Sequence, residues 1–186
     1  EIYMGDWSSD VCSSDLGCFG LLALFARALG GLASDRIAHE SGLGGRVTVL
    51  FALILAEGIG LLVFSQMGSA LHALVAMLVF GLFTHMACGA TYSLVPFVNG
   101  KALGGVAGIV GAGGNVGAVA AGFLVKGAGS IQSALFVLGS IVVASALCVL
   151  AVRFTHAQKT EERRLYYDAL AQKAAQTQTE VVADAA

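Results

Sequence analysis

The sequence predicts an all-α integral membrane protein with five transmembrane helices, and three observations carry that prediction. The composition is 57% hydrophobic and 12% charged, with a mean hydropathy of +0.83, whereas an ordinary soluble domain carries roughly twice that charge. The apolar residues gather into runs close to the ~20 residues that a helix needs to cross a bilayer. Basic residues crowd every second segment between those runs, as the positive-inside rule requires of successive crossings.

Residues 1–16, EIYMGDWSSDVCSSDL, are polar and acidic and give way abruptly to apolar sequence at Gly17. DWSSDVCSSDL reads as the translation of a short-read library adapter, so the segment is expected to be a sequencing artefact outside the fold. Setting it aside removes Glu1, Asp6, Asp10 and Asp15 but no Lys or Arg, which moves the formal charge from −2 to +2. Trp7 and Cys12 go with it, leaving Cys18, Cys88 and Cys148 isolated in apolar runs. No CxxC or Cys/His spacing occurs, so neither a metal site nor a disulfide framework is expected, and no cofactor is implied. Gly17 opens inside a helix with no start signal of its own, so residues 17–156 are expected to be the C-terminal part of a longer protein, followed by a tail over 157–186.

The five spans are placed at 17–33, 47–66, 71–98, 104–126 and 132–153. Arg36 and Arg46 lie in the first connection, Lys101 in the third, and Arg153, Lys159, Arg163, Arg164 and Lys173 in the tail; the alternate connections carry only Lys126. The first and third connections and the C-terminus are therefore expected in the cytoplasm. Pro96 falls near the end of the third span, where its missing N–H ends or kinks a helix. The tail begins as a charged segment that is a candidate interfacial helix and turns Ala/Gln/Thr-rich, a composition that favours a solvated tail instead.

The run from Gly104 to Lys126 is the most informative. As a helix it is ~33 Å long against a hydrocarbon core of ~30 Å, with its one amide, Asn115, ~16 Å from either end and so at the midplane. Each interior glycine costs roughly 0.5–1 kcal/mol relative to alanine. Gly104 with Gly108, and Gly113 with Gly117, share faces that can admit a neighbouring helix or a small ligand to the main chain. GAGGNVG superficially matches a dinucleotide-binding turn, but Val116 stands where the third glycine belongs and no acidic residue lies between Glu57 and Glu161 to hold a ribose.

Away from the ends of the spans, an arginine, a histidine and a glutamate stand out. Arg27 is about seven residues, or ~10 Å, from Ser34 at the expected membrane edge; a charge at that depth marks an ion or substrate path by default, although arginine is long enough to snorkel. His85 and Glu57 lie near the middles of their spans and are candidates for proton coupling or for structural pairing with a neighbouring helix. No nucleophile with an adjacent base and orienting acid is present, so catalysis is not expected.

These motifs resemble the C-terminal half of a nitrate/nitrite porter of the major facilitator superfamily. GIVGAGGNVGAVAAGF is similar to that family's second glycine-rich signature on its eleventh helix, FARALGGLASDR to the eighth helix and the loop after it, and ACGATYSLVPFV to the tenth helix. The resemblance implies that the five spans are the last five helices of such a transporter. It also implies that Arg27 is the C-half substrate arginine and that Gly111, Gly113, Gly114, Asn115 and Gly117 line the central pathway. By the same resemblance the ninth helix, which carries Glu57, is peripheral.

The implied activity is transport of nitrate or nitrite by alternating access, with a missing N-terminal half and the lipid bilayer as partners and the bacterial inner membrane as location. Nucleic acid is not an expected partner. A guanidinium suits a planar monoanion, because it is a permanently charged planar fork of donors that lysine cannot reproduce. A porter of another small anion or organic acid, and a membrane-anchored interaction protein without transport, are the alternatives.

Overall fold

The structure, a computed structural model, describes the backbone of residues 9–184 and the side chains of 22–69 and 71–178. Residues 1–8 of the adapter-like segment lie outside the described residues, as do the side chains of the rest of it and of Cys18. The described residues are almost all helical: α1 (Ser9–Ser65), α2 (Ala70–Val98), a 3-10 turn (Gly100–Ala102), α3 (Leu103–Gly127), α4 (Ile131–Val149) and α5 (His156–Asp184). No strand occurs among the described residues. Four helices, α1 to α4, contain stretches long and apolar enough to cross a membrane, the first of them 44 residues from Leu22 to Ser65. This is a multi-pass membrane architecture.

α1 takes in two of the expected spans and the connection between them. It is bent at Gly42, whose φ of 63° and ψ of −153° lie in a region open essentially only to glycine. Across that residue the chain reverses. Arg46 pairs with Asp35, eleven residues earlier, and a Cβ on Gly45 would stand 3.0 Å from the Ile37 carbonyl oxygen; a straight helix keeps such residues more than ~10 Å apart. The two arms also run in opposite senses along α2. In the first arm, the 27–31 segment crosses Met86 and Gly89 and the chain then advances with α2 to set Ser34 against Ser93, whereas in the second arm Leu53 clusters with Ala87 and the later Gly60 meets the earlier Phe80.

The expected first loop, 34–46, is therefore corrected to helix on both sides of a single bent residue. Packing explains why the first arm continues so far. Ala26, Gly30, Ser34 and Ala38 recur every four residues and are all buried, a row of small residues that lets two backbones approach. The Ser34 hydroxyl closes the row with a 2.8 Å hydrogen bond to the Ser93 hydroxyl.

Close backbone approach holds the bundle together, as expected in lipid, where apolar burial does not drive helices together. A Cβ on Gly30 would collide with the Met86 carbonyl, and one on Gly89 with the Arg27 carbonyl, so the first arm and α2 cross glycine to backbone in both directions. The second arm sits between α2 and α4, with Gly58 against Val143 and Gly139 of α4 against Leu62. Leu43, Val49, Leu50, Leu53, Ala87, Ala90 and Leu94 form the buried core.

Helix ends follow local rules. α2 stops at Val98, two residues after Pro96, and Asn99 is extended with φ −157°; Pro96 has no N–H to offer the carbonyl one turn back. The Ser130 hydroxyl caps α4 by accepting from the Ser133 N–H at 3.1 Å. α5 opens on a capping box in which the Thr155 N–H donates to Gln158 Oε1 at 2.8 Å and the Gln158 N–H donates to Thr155 Oγ1 at 3.4 Å.

Candidate functional site

Three residues singled out in the sequence come to one level of the bundle, around the middle of α2. The first arm places Arg27 next to the glycine crossing, its carbonyl against Gly89 and its side chain exposed on the bundle surface. One turn away on α2 is His85, half-buried, close enough for the Arg27 charge to bear on its imidazole. The second arm brings Glu57, also half-buried, beside Thr84, whose hydroxyl donates to the Phe80 carbonyl at 3.0 Å. The sequence reads these three as separate intramembrane charges; the fold lines them up on both sides of one helix because Thr84 and His85 are neighbours on α2.

The glycine signature is placed differently. Asn115 and Gly113, Gly114 and Gly117 are exposed along α3, and no atom lies within 4 Å of where a Cβ would stand on Gly104, Gly108, Gly113, Gly114 or Gly117. Among the described residues α3 neighbours α2, α4 and the 3-10 turn but not α1, so Asn115 and Arg27 are not brought together there. The close approach expected of the α3 glycines is found instead at Gly30, Gly58, Gly60, Gly89 and Gly139, because α3 has helical neighbours along only part of its surface. From α2 a tyrosine that sequence reasoning passed over reaches the signature: the Tyr92 hydroxyl is 3.7 Å from the Cβ position of Gly111. Its signal was present, since Tyr92 lies seven residues after His85, two turns along the same face.

No group of three His, Cys, Asp or Glu side chains among the described residues could hold a metal ion, and Cys88 and Cys148 are free thiols. What the arrangement offers is one permanent cation with a titratable imidazole beside it, at the depth of an apolar helix pair. That suits holding a small anion.

Comparison with known proteins decides which kind of membrane protein this resembles. Over 101 residues, 54% of the chain, it is 44% identical to nitrate transporter 2.2 of Chlamydomonas reinhardtii, of which that stretch is 20%. It is 41% identical over 101 residues, again 54% of the chain, to high affinity nitrate transporter 2.5 of Arabidopsis thaliana, covering 20% of that protein. Its relatives are nitrate transporters. A cyanobacterial relative, the nitrate/nitrite transporter NrtP of Picosynechococcus, is 32% identical over 123 residues, 63% of this chain and 22% of its own length. The resemblance to the nitrate/nitrite porters is thus shared with plant, algal and cyanobacterial members, all of them transporters by name and none an enzyme. The chain spans about a fifth of the length of these relatives. No family model matches the chain, and no solved structure matches it.

Proposed function

We propose that this chain is the C-terminal part of a nitrate/nitrite porter of the major facilitator type, crossing the membrane five times and working by alternating access together with an N-terminal half. The observation that carries the reading is its 41–44% identity to nitrate transporters over 54% of the chain. Five crossings follow if the two arms of α1 each span the bilayer, a reading supported by their opposite senses along α2. Arg36, Arg46, Lys101, Arg153 and Lys159 belong to the segments at the Gly42 end of the bundle, which supports placing that end, with the C-terminus, in the cytoplasm.

Arg27 is the residue to which substrate binding is assigned. Its guanidinium presents paired donors to a planar anion without any protonation step. His85, beside it, is assigned either a second contact or proton coupling, and Glu57 a structural or coupling role through Thr84. Gly111, Gly113, Gly114, Asn115 and Gly117 are assigned to the wall of a pathway completed by the missing half, which rocks against this one around the bound anion.

The substrate is tested by competition. Cells expressing the full-length transporter should take up labelled nitrate, with unlabelled nitrite and nitrate competing and formate or a small organic acid failing to compete. Competition by the organic acid and not by nitrite would move the assignment to another anion.

A further inference from the structure

The first turns of α5 dock on the Gly42 end of the bundle through one face. Residues 158, 162 and 166 recur every four positions and so share a stripe of the helix, and each meets a different part of the bundle. Gln158 Nε2 donates to the Phe97 carbonyl near the end of α2 at 3.0 Å. Glu162 Oε2 accepts from the Leu43 N–H at 2.9 Å, and its Oε1 faces Arg46 Nε at 3.5 Å. Tyr166 packs edge-on against His39 of the first arm, with ring centroids 5.2 Å apart.

Glu162 stands in for a missing cap. The second arm starts at Leu43, and the first N–H groups of a helix have no partner within it. The residue in the capping position is Gly42, which has no side chain to accept from them. A carboxylate from α5 does so instead, at the end of a helix where negative charge is favoured. Glu162 is 7% exposed, and the same Arg46 also pairs with Asp35 and lies over the Phe97 ring at 5.1 Å. A Cβ on Gly42 would be 3.3 Å from Glu162 Oε2, so the bend and the carboxylate share one space.

The hold is specific but thin. Beside these contacts lies a polar cavity of about 570 Å³ whose walls include Glu40, Arg163 and Tyr167, and beyond Tyr166 the described residues of α5 are exposed. A helix attached by a few polar contacts with little apolar burial opens more readily than a packed core. We propose that α5 is a detachable strap: docked, it fixes the Gly42 joint and ties both arms of α1 to the end of α2, and released, it frees that joint to move.

Hydrogen exchange on the full chain in lipid nanodiscs tests this, read by mass spectrometry on peptides spanning 41–47, 86–94 and 156–167. In the wild type, 41–47 and 156–167 should exchange on a shared timescale, at least about tenfold faster than 86–94, as expected of a locally opening unit. Glu162→Ala should accelerate 41–47 by a further ~10-fold and leave 86–94 unchanged, while Glu162→Gln, which keeps an acceptor for the Leu43 N–H, should fall between. Exchange at 41–47 indifferent to Glu162→Ala overturns the strap, as does wild-type exchange there as slow as in the core. Should Glu162→Ala loosen 86–94 as well, Gln158→Ala combined with Tyr166→Ala leaves the buried ion pair in place; faster exchange at 41–47 then supports the strap and unchanged exchange overturns it.

Discussion

Glycines divide this molecule into positions where a methyl group cannot fit and positions where it meets nothing. At Gly89 an added Cβ collides with the Arg27 carbonyl, while at Gly104 it stands in open space. Gly89→Ala should therefore destabilise the bundle by about 1–3 kcal/mol through overpacking, lowering the midpoint of thermal unfolding in detergent. Gly104→Ala should leave that midpoint level or raise it, since alanine is the better helix former by roughly 0.5–1 kcal/mol. The opposite ordering would mean that the crossing of the first arm with α2 is not formed. The sequence drew attention to the wrong glycines for this purpose. Those of α3 are dense and periodic, whereas Gly30 has only Gly31 beside it and Gly89 stands alone in ACGATY, and nothing local says that one lies against the backbone opposite the other.

Among the elements, the spans over α2, α3 and most of α4 were legible because long apolar runs bounded by Pro96, Ser130 and small loops leave little choice. The reversal between the first two spans was legible as well, but its form, helix on both sides of one bent residue, was not. Its connection, SGLGGR, holds three glycines, and only tertiary contacts with Glu162 and Asp35 decide that Gly42 takes the bend. Gly42→Ala should cost on the order of 1–3 kcal/mol, because the bend uses backbone angles closed to other residues; an unchanged unfolding midpoint would place the joint elsewhere. The docked tail was likewise missed, although Thr155-x-x-Gln158 is a helix-start pattern readable in the sequence. Reporter fusions test the five crossings. Alkaline phosphatase joined after Gly68 or Gly129 should be active on the far side of the membrane, and joined after Gly42 or Thr155 it should be inactive. Activity after both Gly42 and Gly68 would show that the second arm of α1 does not cross.

On the scale of the whole molecule, the proposed function makes this chain one part of a transport pathway. Arg27, His85 and Glu57 come together around α2, a convergence that the sequence could suggest by depth but not by facing, since facing is set by how the two arms of α1 flank one helix. The α3 signature keeps its own surface, out of contact with α1 among the described residues. Its relationship to Arg27 was legible only through resemblance to the nitrate/nitrite porters and is left, in the proposed function, to be completed by the other half. The most direct test is the initial rate of labelled nitrate uptake by cells expressing the full-length transporter, with the protein quantified in the membrane, comparing wild type with Arg27→Lys. Loss of uptake at equal abundance is predicted, because an ammonium retains the charge but not the planar pair of donors; uptake at the wild-type rate would remove Arg27 from the substrate site and contradict the proposed mechanism.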